Sequence, residues 1–217
     1  RNQMSRFLLI PGMFVLICGF LSQPVLADKN DHPALLLVKD TTNLIRKKVK
    51  EDDSIIKSNP EHLYDLVNEI VLPHFDFQKM SSWVLGKNWR NASAAQKKKF
   101  TSEFSRLLVR TYSRAIYDNI DQQIVFLPIR GKPDADKVTI RTEVPQQAGF
   151  PIPIDYKMRK KNNEWKVFDV VIDAISLVAN YRTTFNQEIK KSGIDSLIAS
   201  LADRNSIPVN EKTVRDN

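Results

Sequence analysis

The order in which hydrophobic periodicities follow one another constrains this chain more than any single motif. Up to Asn119 the apolar residues recur at helical spacing, from Gln123 to Asp173 they run as strands, and from Ser176 the helical period returns. Helices, then strands, then helices, with no strand–helix–strand repetition, predict an α+β fold with an antiparallel sheet. A curved sheet of about four strands wrapped by helices at both ends makes a cone, and a hollow at its centre is expected.

Local signals place the elements. Asp31 and Pro33 read as the cap and first turn of a helix carrying Leu35, Leu36, Val38, Leu44, Ile45 and Val49. The polar run 51–54 breaks it. Asn59-Pro60-Glu61 starts a second helix, with Leu63, Val67, Ile70 and Val71 as its stripe, ending before Pro73. Asp76 is expected to cap a short third helix that Gly86 closes by taking a positive φ. Ser93 with Gln96 has capping-box spacing and opens the longest helix. Phe100, Phe104, Leu107, Leu108, Thr111, Tyr112, Ala115 and Ile116 share one face of it; Lys99, Glu103, Arg106, Arg110 and Arg114 share the other.

In the middle of the chain, residues 123–129 are nearly all apolar, as in a strand covered on both faces. Val138, Ile140, Thr142 and Val144 alternate with polar neighbours, as do Ile154, Tyr156 and Met158. A turn at Lys161-Asn162-Asn163-Glu164 then leads into a buried strand from Trp165 to Asp173. The last helices carry Leu177, Tyr181, Phe185 and Ile189, then, past Gly193, Ile194, Leu197, Ile198 and Leu201. Residues 205–217 are polar and are expected to form a loose tail.

The first 27 residues stand apart. Arg1 and Arg6 precede an apolar run from Phe7 to Leu21, and Val25-Leu26-Ala27 offers small residues where a signal peptidase cuts. The run is shorter than the roughly 20 residues that span a bilayer, which disfavours an anchor. Ile17 before Cys18 disfavours a lipoprotein. Residues 28–204 are therefore expected to be one exported domain. It has no cysteine, so burial alone must hold it together. Loss of Arg1 and Arg6 leaves 31 basic residues against 25 acidic ones, a formal +6. The basic clusters 46–50, 97–99, 157–161 and 190–191 are scattered and interleaved with acids. They read as solvated faces rather than a nucleic-acid stripe, and remain compatible with mild attraction to anionic headgroups.

Residue chemistry points away from several enzyme classes. Gly86, Gly131, Gly149 and Gly193 are too far apart for a phosphate-cradling loop or a dinucleotide fingerprint. His32, His62 and His74 have no ligand spacing, so neither metal nor other cofactor is expected. Asp169, within Val167-Phe168-Asp169-Val170-Val171, admits two readings. It is a general acid or base in an apolar pocket, or a structural aspartate at the sheet edge or paired with an arginine such as Arg182. Asp76 reads as a cap rather than a catalyst. The aromatic residues Trp83, Trp89, Trp165, Tyr112 and Tyr181 fit either a cavity lining or a packed core.

Several blocks together carry a resemblance. They are Leu72-Pro73-His74-Phe75-Asp76-Phe77, Val84 to Arg90, Phe104 to Tyr112, Trp165 to Val170, Ile175-Ser176-Leu177 through Tyr181-Arg182 to Phe185, and Gly193-Ile194-Asp195-Ser196-Leu197. In order and spacing they resemble the MlaC family of periplasmic phospholipid-binding, toluene-tolerance proteins. One position departs: Asp173-Ala174 stands where the family has an acidic residue followed by glycine, so Ala174 is expected to strain or shift that corner.

The resemblance implies an NTF2-like cone whose hollow takes acyl chains, with phospholipid as cargo and no cofactor. Such a carrier shuttles lipid between an outer-membrane lipoprotein–porin complex and an inner-membrane ABC transporter with its substrate-binding MCE component. It thereby maintains outer-membrane lipid asymmetry. The expected lining is Val84, Leu85, Phe104, Leu108 and Tyr112 from the helices and Ile140, Ile154, Tyr156, Met158 and Val170 from the sheet. Leu177, Tyr181 and Phe185 complete it. Arg90, Arg110 or Arg182 is expected to meet a headgroup phosphate at the mouth. Two rivals stand beside this reading: an enzyme acting on an apolar substrate through Asp169, and an exported interaction or chaperone module using Lys97 to Lys99.

Overall fold

The computed structural model describes residues 32–130, 135–146 and 148–208. The expected signal peptide, Cys18, the Asp31 cap, Gly131 and the end of the tail lie outside the described residues. Helix α1 (Pro33–Glu51) starts on His32, whose Nδ1 accepts from the Ala34 N–H at 3.2 Å. The expected break follows at Asp52, then α2 (Asp53–Ser58) and α3 (Glu61–Ile70). A single 3₁₀ turn (Leu72–His74) leads into α4 (Phe77–Leu85) and α5 (Lys87–Asn91). Gly86 separates these two at φ 55°, and a β-carbon there would come within 3.2 Å of the Arg182 guanidinium. The Ser93–Gln96 capping box is fully formed and opens α6 (Ala94–Asp118).

The sheet has five strands in the order β1 (Val125–Phe126), β2 (Lys137–Val144), β3 (Ile152–Lys161), β4 (Glu164–Ile172), β5 (Ile175–Ser176), all antiparallel. The apolar run 123–129 is therefore not a strand covered on both faces. Only two of its residues pair, and Val125 is exposed. Asn162 and Asn163 take φ 51° and 64°, a turn whose twist matches the β3–β4 hairpin. Helices α7 (Leu177–Ser192) and α8 (Ile194–Ser206) follow. Helix α8 runs past the expected boundary at residue 204. Asn205 is buried and donates to the Glu103 carbonyl at 2.9 Å and to its carboxylate at 2.7 Å.

Hydrophobic burial is divided rather than central. One cluster joins α4, α6, α7 and α8 through fully buried Met80, Val84, Leu85, Phe100, Phe104, Phe185, Leu197 and Leu201. Phe100, Phe104, Tyr181 and Phe185 meet there mostly edge to face, with centroids 5.3 to 6.0 Å apart. A second cluster packs α1 on the sheet through Leu35, Val38, Ile140, Met158 and Val167. A third ties α1, α2, α3 and α6 through Val49, Ile56, Leu63, Val67 and Val109. Leu36 and Leu44, read as part of the α1 stripe, are exposed.

A candidate lipid-binding cavity and its family

Between these clusters the space is not filled. A cavity of about 410 Å³ lies between one face of the sheet and helices α1, α3 and α6. Its wall is almost wholly hydrocarbon. The sheet supplies Val144, Ile152, Ile154, Tyr156, Met158, Val167, Val170 and Ile172. Pairing explains why these share a face: Ile152 opposes Val144, Ile154 opposes Thr142 and Ile172, Tyr156 opposes Ile140 and Val170, and Met158 opposes Val138 and Val167.

A β-bulge makes the β4 contribution possible. The register between β3 and β4 shifts between Lys157 and Met158, so two residues rather than one lie between Val167 and Val170. Both valines face the cavity as a result, while Phe168 and Asp169 turn to the other side. There Phe168 meets Trp83 of α4, with ring centroids 5.1 Å apart. Strict alternation cannot place both valines on one face.

From the helices the wall takes Leu37, Val38, Thr41 and Ile45 of α1, Val67 of α3, and Leu108, Tyr112, Ser113 and Ile116 of α6. Phe75 and Phe77, stacked at 5.6 Å, contribute from the corner before α4, and Leu177 from the start of α7. Of the expected lining, Leu108, Tyr112, Ile154, Tyr156, Met158, Val170 and Leu177 border the cavity. Val84, Leu85, Phe104, Tyr181 and Phe185 do not; they fill the helical core. Ile140 lies on the cavity face of the sheet but is fully buried under α1. The α1 residues were missed as lining. Val38 and Ile45 belong to the stripe read from the sequence, Leu37 and Thr41 do not, and nothing in the periodicity separates packing against atoms from bordering a void.

Polar groups sit mainly at the rim. Exposed Ala115, Asn119, Gln146 and Ile152 mark the side where the cavity meets solvent. Arg46 is the arginine of the lining; its guanidinium donates to the carbonyls of Ile120 at 3.0 Å and Gln122 at 2.8 Å, fastening one lip to α1. The three arginines expected at the mouth lie elsewhere. Arg90 is exposed on α5, and Arg182 packs against Gly86. Arg110 lies over the Tyr64 ring and donates to the Ile207 carbonyl in a separate polar cleft. Burial, reinforced by the charge of Lys166, holds the His74 imidazole below its usual range, so it borders the cavity as a neutral ring. Burial pushes the Tyr156 phenol up to about 12, and burial with the neighbouring Tyr181 raises Tyr112 further still. The wall therefore carries no charge beyond Arg46 near neutral pH.

Both buried aspartates are engaged by several donors. Asp76 caps α4, accepting from the Lys79 N–H at 3.2 Å, and also accepts from Arg159 at 2.7 Å and Lys161 at 3.0 Å. Those two cations outweigh the desolvation of the carboxyl and lower its pKa. Asp169 accepts from Ser176 Oγ at 2.8 Å, from the Val178 N–H at 3.2 Å and from its cross-strand neighbour Lys157 at 3.2 Å. It anchors the start of α7 on the far side of β4 from the cavity, and its partner is Lys157 rather than Arg182. Among the described residues no group of His, Cys, Asp and Glu is disposed to hold a metal.

Known proteins resemble this chain in sequence and fold. The family model described as MlaC protein matches residues 39–203, most of the chain. The chain belongs to the MlaC family. Among its relatives, the intermembrane phospholipid transport system binding protein MlaC of Haemophilus influenzae is 27% identical over 199 residues, covering 90% of this chain and 92% of that protein. The toluene tolerance protein ttg2D of Pseudomonas putida is 26% identical over 185 residues, covering 85% and 84%. A phospholipid-binding protein of Ralstonia solanacearum, solved in complex with a phospholipid, superposes with a TM-score of 0.73 at 29% identity. That match covers 82% of this chain and 98% of the other. The fold of that neighbour agrees with the α+β order read from the sequence.

Proposed function

We propose that this chain is a periplasmic phospholipid carrier whose apolar cavity receives acyl chains while the polar rim keeps the headgroup in water. The carrying observation is an unfilled hydrocarbon-lined space, bordered by α1, α3, α6 and one sheet face, in a chain of the MlaC family. A phospholipid carries about thirty methylenes at roughly 0.8 kcal/mol each, so exposing its tails to water costs on the order of 25 kcal/mol. A protein that lends an apolar lining removes most of that barrier, and no bond has to be made or broken.

Arg46, Gln122 and Gln146 at the rim are suited to hydrogen-bond a phosphate or ester, in place of the three arginines expected from sequence. The family membership supports exchange with an inner-membrane ABC transporter through its MCE component, and with an outer-membrane lipoprotein–porin complex. The apolar segment 7–21 supports export. The enzyme reading through Asp169 has no support in the site, since that carboxylate faces away from the cavity and is engaged by three donors.

Organic-solvent extraction of the purified chain followed by mass spectrometry tests the proposal. About one phospholipid per chain is expected. Protein that holds none as isolated, and takes none up from detergent-dispersed phospholipid, refutes the carrier reading.

A further inference from the structure

The cavity face of the sheet does not stop at the cavity. Ile154 and Ile172 oppose each other inside it, and Ile175 of β5 opposes Ile172 on the same face, yet Ile175 is 59% exposed. One row along, Ile152 borders the cavity and is itself 37% exposed. Two residues earlier, in the β2–β3 loop, Phe150 is 93% exposed, the most exposed large apolar residue among the described residues. The β4–β5 turn is tied to the start of β3, since the Asp173 N–H donates to the Pro153 carbonyl at 3.0 Å. Apolar side chains thus form a lip from the cavity wall at Ile152 and Ile172 out to the exposed Ile175 and Phe150.

Resting on the carrier reading, we infer that this lip is a bilayer-contacting edge: Phe150 and Ile175 enter the acyl region of a phospholipid membrane and give a lipid tail a hydrocarbon path into the cavity. Size favours a membrane over a protein partner. The three side chains expose roughly 400 Å² of apolar surface, about half the ~800 Å² that each side of a stable protein interface buries. They also sit on separate segments, Phe150 in the β2–β3 loop, Ile152 at the start of β3 and Ile175 in the two-residue β5. A fluid acyl layer needs no matching shape. The formal +6 of the chain without its first 27 residues draws it toward anionic headgroups at long range. Asp155 and Asp173 flank the lip itself, so the close contact must be carried by hydrocarbon.

The test compares the wild-type chain with the double variant Phe150→Asp/Ile175→Asp and with Phe150→Trp; neither substituted position borders the cavity. Phospholipid uptake is measured from phosphatidylethanolamine–phosphatidylglycerol vesicles and, separately, from detergent micelles of the same lipids. We expect vesicle uptake by the double variant to slow at least about tenfold, with wild-type occupancy reached from micelles. The tryptophan added at 150 is expected to be quenched by vesicles with brominated chains, beyond the change seen for the wild type. Uptake from vesicles at the wild-type rate by the double variant overturns the inference, as does an added tryptophan that brominated chains leave bright. Normal vesicle uptake combined with loss of lipid exchange with a partner protein overturns it too, by placing the lip on that partner. Failure of the wild type to load even from micelles refutes the carrier reading itself, and the lip with it.

Discussion

Ala174 shows how one residue reports on a backbone it did not choose. Asp173 and Ala174 take φ 48° and 64° between β4 and β5, a left-handed turn that glycine adopts freely and alanine does not. The turn keeps its geometry and the alanine bears the strain. Ala174→Gly is therefore expected to raise stability by about 1 kcal/mol, net of the extra chain entropy glycine gives the unfolded state, and Tm by about 2–4 °C in thermal unfolding. Phe104 makes the opposite point. It was read as cavity lining but is fully buried among Phe100, Tyr181 and Phe185. Phe104→Ala should cost about 3–5 kcal/mol in urea unfolding, as expected for a large core side chain.

At the scale of elements, the corner before α4 is held by charge as well as packing. Asp76 joins the α4 N-terminus to the end of β3 through Arg159 and Lys161, and its own N–H donates to the Val167 carbonyl at 2.8 Å. Its pKa is lowered in the folded protein, so the unfolded chain binds the proton more readily. The stabilisation is therefore complete above the ordinary carboxylate range near pH 4, and is lost as pH falls through the lower folded value. Asp76→Ala should cost about 3 kcal/mol at pH 7, combining a lost cap with a broken buried pair. The difference from wild type should shrink in acid, read as converging denaturation midpoints below about pH 4. The sequence reading found the cap but not the ion pairs, because Arg159 and Lys161 lie more than eighty positions away.

Across the whole molecule, a void and a core are made from the same residue types. Leu108 belongs to both, packing in the helical cluster and bordering the cavity. Enlarging Ile154, which borders the cavity and is only partly buried against the sheet cluster, separates the two roles. Ile154→Trp puts new volume into open space rather than into packed atoms, so stability should change by less than about 1 kcal/mol. Co-purifying phospholipid should fall severalfold by mass spectrometry. An unchanged lipid content would mean that cargo sits elsewhere.

The sequence alone determined the class and order of the elements, because caps, turns and periodicity are local and act over a few residues. Ser93 with Gln96, Gly86, Asp76 and the paired Asn162–Asn163 turn could all be read in place, and the family blocks pointed to a lipid carrier. Only the tertiary structure decided which apolar faces met one another and which enclosed space. The bulge that turns both Val167 and Val170 inward, the α1 wall and the displacement of Arg90, Arg110 and Arg182 from the mouth all depend on contacts between distant segments. Periodicity shows that a side chain leaves water; it does not show whether atoms or a hollow lie on the other side.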